Sequence, residues 1–355
     1  MNGDADSSAA LQQRVREAAA RGEALRVTGG GTKNFYGRAA SGVPLTVAAH
    51  RGILDYEPTE LVITARAGTL LAEIETALAG QRQMLAFEPP HYGPGATLGG
   101  AIACGLSGPR RPYAGAARDF VLGVKILTGR GEILHFGGQV MKNVAGYDVS
   151  RLMAGALGTL GILLEISLKV LPQLVEELTL ARPATEQDAI ALMNRWAAQP
   201  LPLSAACYDG EVLHLRLSGT ANGVRAARAQ IGGEPVADSA EFWARLREQR
   251  HGFFTGDAPL WRVCVPPGAP PLPLAGKWLL DWGGAQRWLR GEDPPERIRR
   301  SAEQARGHAL LFRGGDRDSE VFHPLPAPLL ALHRRLKAAF DPQRILNPGR
   351  MYREM

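Results

Sequence analysis

Apolar positions recur at helical spacing over residues 11–21, where Leu11, Val15, Ala18 and Ala19 share one face and Gly22 closes the run. A short apolar strand around Leu25 and Val27 follows and leads directly into Gly29, Gly30, Gly31, Thr32 and Lys33. Residues 53–67 read as strand, turn and strand, with the turn at 57–59. Thr69 is placed to cap a helix that carries Leu70, Leu71, Ile74, Ala77 and Leu78 on one face and ends at Gly80. Residues 87–108 are too rich in glycine and proline to form one regular element, although 97–103 can make a short helix inside them. Residues 119–136 have the pattern of a hairpin turning at 129–132. Beyond Gly161 an apolar strand runs to Leu171, and Pro172 stops it.

From residue 173 the pattern changes. Candidate strands at 203–208, 211–217, 260–265, 277–282 and 309–313 alternate with candidate helices at 185–198, 221–231, 239–250 and 293–306. A proline-rich loop spans 266–273, and no internal repeat is evident. After Pro328 a helix carrying Leu329, Leu330, Leu332, Leu336 and Phe340 leads into a polar tail. This organisation divides the chain into 1–172, 173–325 and 326–355.

The length of 355 residues allows two cores, and 45% hydrophobic with 21% charged residues is ordinary for a globular chain. The net charge is +6, but the basic residues are scattered and no aromatic residues interleave with them, which argues against nucleic acid as a partner. The positive balance suits anionic small molecules or an acidic partner surface. Cys104, Cys207 and Cys264 lie far apart, so neither an iron–sulfur cluster nor a disulfide framework is expected. No run reaches the length of a membrane span, and the first ten residues lack the apolar core of a signal peptide, so an intracellular chain is expected.

The glycine-rich stretches carry the chemistry. Three consecutive glycines remove every β-carbon at 29–31 and let the backbone turn with φ > 0, gathering N–H groups into a nest for an anion such as phosphate. Thr32 adds a hydroxyl and Lys33 a cation. Gly99, Gly100, Gly105, Ser107 and Gly108 form a second cradle that would admit a flat ligand close to the main chain. A third block holds Lys142, Tyr147, Gly158, Thr159 and Gly161. No GxGxxG sequence opens a helix, so a nicotinamide dinucleotide is disfavoured. Arg110 and Arg111 are either solvated or a clamp for a phosphate or carboxylate. Arg118 and Asp119 are expected to be an exposed pair.

These blocks resemble the flavoprotein fold shared by vanillyl-alcohol oxidase and p-cresol methylhydroxylase (PCMH). The matching stretches are GGGTK at 29–33, ATLGGAIACGLSG at 96–108, RDFVLGVKILTGRGE at 118–132, GYD at 146–148, GTLGI at 158–162 and FDPQRILNPGR at 340–350. Within that fold the chain is similar to FAD-linked 2-hydroxyacid dehydrogenases. The segments KNVAGYDVSRLMAGALGTLG and SGPRRPYAG point more narrowly to the family of E subunits of bacterial glycolate oxidase. The resemblance implies an α+β fold: a two-part PCMH-type FAD-binding domain, a smaller α+β cap domain, and a C-terminal tail returning to the flavin domain. It implies that Gly29, Gly30, Gly31 and Thr32, with Lys33, hold the pyrophosphate. Thr97, Gly99, Gly100, Cys104, Gly105, Ser107 and Gly108 would pass along the flavin, with Lys142 and Tyr147 in its pocket and Gly161 and Ile162 touching it through backbone atoms.

The resemblance further implies a subunit that oxidises glycolate to glyoxylate beside a larger FAD-binding subunit and an iron–sulfur subunit, in the cytoplasm or peripherally at the inner membrane through its complex. Two other readings are a self-sufficient D-2-hydroxyacid dehydrogenase and a non-catalytic assembly subunit. Relatives that tether flavin carry a histidine just after the glycine turn; Thr32 and Lys33 stand here, so FAD is expected to be non-covalent. Larger relatives also carry a histidine pair around Gly-Asp-Gly-Asn that helps hold a metal. The nearest counterpart, between His308 and His323, has the wrong spacing, so no metal site is expected and His308 and His323 are read as structural.

Overall fold

In a computed structural model, which describes residues 5–138 and 148–355, the described residues build two larger sheets and two two-stranded pairs, and the C-terminal tail threads back to the N-terminal part. Helix α1 (Ser8–Arg21) buries Leu11, Val15 and Ala18 and ends at left-handed Gly22. Strand β1 (Leu25–Thr28) pairs in parallel with β2 (Val43–Thr46). Next come β3 (Ile53–Glu57), β4 (Val62–Arg66), α2 (Leu71–Ala79) and the two-residue β5 (Gln83–Met84). Thr69 does not cap α2. Leu70 stands at the cap position, and the Thr69 hydroxyl is taken instead by Gly52, accepting its N–H at 2.9 Å and donating to its carbonyl at 3.2 Å. After α3 (Leu98–Cys104) and the short α4 (Arg111–Ala114), the hairpin of β6 (Val121–Leu127) and β7 (Ile133–Gly137) turns where expected. Helix α5 (Val149–Met153) and strand β8 (Ile162–Lys169) follow.

The first sheet has the order β3-β4-β8-β6-β7, all antiparallel. β4 and β8 lie at its centre, buried nearly throughout, and α1, α2 and α3 pack their apolar residues into the same core.

Strand β9 (Leu171–Pro172) pairs with β5 and closes this part. The second sheet then collects β10 (Glu176–Pro183), β11 (Leu203–Tyr208), β12 (Val212–Gly219), β13 (Glu234–Pro235), β14 (Leu260–Cys264), β15 (Lys277–Asp281), β16 (Gln286–Arg290) and β17 (His308–Arg313). Its order is β13-β10-β12-β11-β15-β16-β14-β17. Helices α6 (Glu186–Ala197), α7 (Ala221–Ile231), α8 (Ser239–Arg247) and α9 (Pro295–Gln304) contribute buried apolar residues to its cores. The sequence pattern anticipates five of these eight strands and misses β10, the two-residue β13 and β16.

Helix α10 (Ala327–Phe340) starts just before Pro328, the residue it is expected to follow, and Leu329 and Leu332 remain exposed; its single buried side chain is Lys337. From α10 the tail runs beside β1: Leu25 donates to the Ile345 carbonyl at 2.7 Å, Asn347 donates to that of Leu25 at 2.9 Å, and Leu25 bridges Leu346 in parallel. Among the described residues no helix is long and apolar enough to cross a membrane.

Candidate functional site

The site is built where β1 ends. Of the three glycines beyond it, Gly31 alone has a left-handed φ, +77°. Gly30 is required for a different reason: a β-carbon there would lie 1.5 Å from the Gly95 carbonyl oxygen, so the glycine turn and the loop before α3 are in backbone contact. Thr97 caps α3, its hydroxyl accepting the Gly100 N–H at 3.2 Å. The turn, the start of α3 and residues 157–163 enclose a cleft of about 760 Å³, including its open mouth.

Eleven of the sequence-derived candidates line this cleft: Gly29, Gly30, Gly31, Thr32, Lys33, Thr97, Gly99, Gly100, Cys104, Gly161 and Ile162. Gly105, Ser107 and Gly108 do not. Gly105 is the left-handed cap of α3 and abuts Gly155. The Ser107 hydroxyl accepts the Ala117 N–H at 3.0 Å, and the Gly108 carbonyl accepts the Trp282 indole N–H at 2.9 Å. The helix ends at Cys104, so the chain leaves the cleft before reaching these three. Lys142 and Tyr147 lie outside the described residues.

The tail supplies lining residues that the sequence reading did not assign. Asn347 accepts the Val27 N–H at 2.7 Å and donates to the Leu157 carbonyl at 2.7 Å, joining β1 to the Gly158 turn. Arg350 reaches the cleft while donating to the carbonyls of Arg38 and Asn34, each at 2.9 Å.

Charge at the cleft is sparse and positive. Lys33 is buried, donates to the His91 carbonyl at 3.2 Å and sits 5.7 Å from the centre of the Tyr92 ring. Burial holds its ammonium below the ordinary lysine range, and no carboxylate pairs with it among the described residues. Burial also lowers Arg350 and pushes the Cys104 thiol up to about 11. This donor set fits FAD: main-chain groups and small side chains line the walls, and two cations balance a diphosphate.

Residues 4–137 match the model of the FAD binding domain, and residues 321–351 that of the C-terminal domain of FAD linked oxidases. Glycolate oxidase subunit GlcE of Escherichia coli strain K12 is 50% identical over 352 residues, covering 99% of each chain. The chain belongs to the glycolate oxidase subunit GlcE family. It is accordingly an FAD-dependent oxidoreductase, and FAD is its cofactor. The glycolate oxidase subunit GlcD of Bacillus subtilis is 26% identical over 84% of this chain and 77% of its own length. Among solved structures, an alkyldihydroxyacetonephosphate synthase superposes with a TM-score of 0.67 at 16% identity, over 95% of this chain and 74% of that one, and shows the shared fold.

In this GlcE-family chain Arg110 is neither solvated nor a clamp. Its guanidinium donates to Glu177 at 2.7 Å and lies 3.4 Å from Glu88, which also pairs with Arg216 at 2.8 Å. These groups join the loop after Phe87 to β10 and β12. Arg118 and Asp119 are an exposed pair at 3.9 Å, as their sequence suggests. His308 and His323 have ring centres 6.3 Å apart, and His323 meets Glu303 at 3.2 Å. Among the described residues no three His, Cys, Asp or Glu side chains gather as a metal site.

Asp281, enclosed beneath this ionic group, takes the N–H of Trp282 at 2.7 Å and the Gln286 amide at 3.1 Å. Burial pushes its carboxyl from 3.8 up to about 7. The folded state therefore holds a proton that the unfolded chain releases. The resulting stability is fully present below 3.8 and is lost as pH rises through about 7. Asp281→Asn should flatten that dependence and leave the variant more stable than the parent at about pH 8. Urea midpoints measured across pH check this; parallel curves for the two proteins would refute it.

Proposed function

We propose that this chain is an FAD-binding subunit of a glycolate oxidase complex, oxidising glycolate to glyoxylate and delivering electrons to an iron–sulfur partner beside a larger flavin subunit. The observation that carries the reading is the glycine-walled, cationic cleft, in a chain half identical along almost its whole length to a glycolate oxidase subunit. In this reading residues 1–172 form the flavin domain, 173–325 the cap, and 326–355 the returning tail.

Bound FAD supplies the acceptor for the hydride. The chain positions it: Gly29, Gly30, Gly31 and Thr32 hold the diphosphate, with Lys33 as counter-charge. Thr97, Gly99, Gly100, Gly161 and Ile162 approach the rings through backbone and small side chains. Cys104 packs as a neutral thiol, because a thiol raised to about 11 stays protonated near neutral pH. The three cysteines stand singly and offer no cluster-ligating set, and in this reading electrons leaving the flavin pass to a centre on another chain.

Among the described residues the cleft lining carries no histidine, and burial holds the thiol of Cys104 up at about 11, which supports non-covalent FAD. The purified chain should be yellow and should release free FAD into the supernatant when precipitated with acid. Flavin retained in the pellet would sink the non-covalent reading.

A further inference from the structure

A second hollow lies across the seam from the flavin cleft. The seam is made by α3 and the turn beyond α5: Gly155 donates to the Ile102 carbonyl at 3.0 Å and Leu157 to that of Ala103 at 2.8 Å. Cys104 faces the flavin cleft, whereas Gly105, the next residue, borders the hollow. The hollow encloses about 1070 Å³, including its open mouth, and draws Arg111, Arg118, Arg262, Arg306 and His308 together around Trp282.

The charge there is unbalanced. Among the described residues no carboxylate lies within ion-pairing distance of Arg111, Arg262 or Arg306; Arg118 alone has one, Asp119 at 3.9 Å. Arg262 on β14 donates to the Tyr36 hydroxyl at 3.4 Å, and its buried Nε has no hydrogen-bond partner among the described residues. Arg111 lies 4.3 Å from the centre of the Trp282 ring, an arrangement that fixes a guanidinium and leaves its edge N–H groups for a ligand. Asp281 does not neutralise the group, since its carboxyl is held by Trp282 and Gln286. Converging guanidinia that lack an anion are unfavourable, and the planar fork of arginine matches a carboxylate at two points.

We propose that this hollow binds a small carboxylate anion between Arg111 and Arg262, with Arg306 and His308 at the rim, as a site separate from the flavin cleft. It does not depend on which acid the flavin oxidises. The test is calorimetric titration of the FAD-loaded chain with oxalate, a planar dianion, with inorganic phosphate titrated in parallel. Oxalate should bind saturably and more tightly than phosphate. R111Q and R262Q should each weaken it by about tenfold or more, with FAD content unchanged, and R118Q should weaken it far less. If R262Q does not fold, R111Q and R306Q carry the comparison. Absence of saturable oxalate binding, equal affinity in parent and variants, or tighter binding of phosphate would each overturn the assignment.

Discussion

Gly30→Ala is expected to leave the purified chain without FAD. A β-carbon at Gly30 would stand 1.5 Å from the Gly95 oxygen and 2.6 Å from its carbonyl carbon. Both sides of that clash are main chain, so no rotamer change relieves it, and the turn at 29–33 and the loop at 93–96 must separate. The cost exceeds the roughly 1–3 kcal/mol usual for one surplus methylene in a core, where side chains can still yield. The contact sits at the edge of the first core, beside Ala96, and no strand of the two larger sheets runs through it, so most helix and sheet content should persist while bound flavin falls to background. Gly252→Ala is the control. It lies outside the cleft and its β-carbon would meet nothing within 4 Å, so a folded chain with flavin is expected. Visible flavin absorbance per chain decides, and stoichiometric FAD in Gly30→Ala would show that the diphosphate is held elsewhere.

The second large effect is expected at Lys337, which is 1% exposed. Its ammonium donates to the Asp341 carboxylate, the Thr159 carbonyl and the Leu346 carbonyl, each at 2.7 Å. Asp341 in turn accepts the N–H groups of Ile345 at 3.1 Å and Leu346 at 2.8 Å. The pair therefore anchors the tail segment that carries Asn347 and Arg350 into the cleft. Lys337→Met leaves an enclosed carboxylate without its counter-charge, which costs about 3–5 kcal/mol. Unfolding of the FAD-loaded variant in urea should show that loss, accompanied by weaker FAD retention. Adding Asp341→Asn should recover part of it, because the unpaired charge is then gone. A loss below about 1 kcal/mol would mean that water reaches the pair and the tail is held by β1 pairing alone.

What the sequence disclosed follows from how local each signal is. The β6–β7 hairpin and the strand and helix pattern from residue 203 onward rest on short periodicities and turn residues, and they stand close to where the pattern puts them. Gly29 to Lys33 and Thr97 to Cys104 announce a cradle by composition, and the fold brings them to one cleft. Three features were not legible. Strand β10 opens with Glu176 and Glu177 and ends in proline, so it reads as linker, although Leu180 is core. Strand β16 carries two arginines, yet Arg287 is fully enclosed, donating to the carbonyls of Gly284, Pro270 and Ala269. Asn347 and Arg350 enter the cleft only because the tail pairs with a strand some 320 residues earlier. Arg110 shows the same limit in reverse: two arginines in a row look solvated until Glu88, Glu177 and Arg216 converge from distant segments.

The central claim is that this chain oxidises glycolate through its FAD as part of an assembly. It is tested most directly by glycolate turnover with one artificial electron acceptor, measured per flavin for the FAD-loaded chain alone and for the chain reconstituted with its partner subunits. Little or no turnover alone and robust turnover on reconstitution is the expected result. Equal rates per flavin in the two preparations would contradict it and identify an independent dehydrogenase.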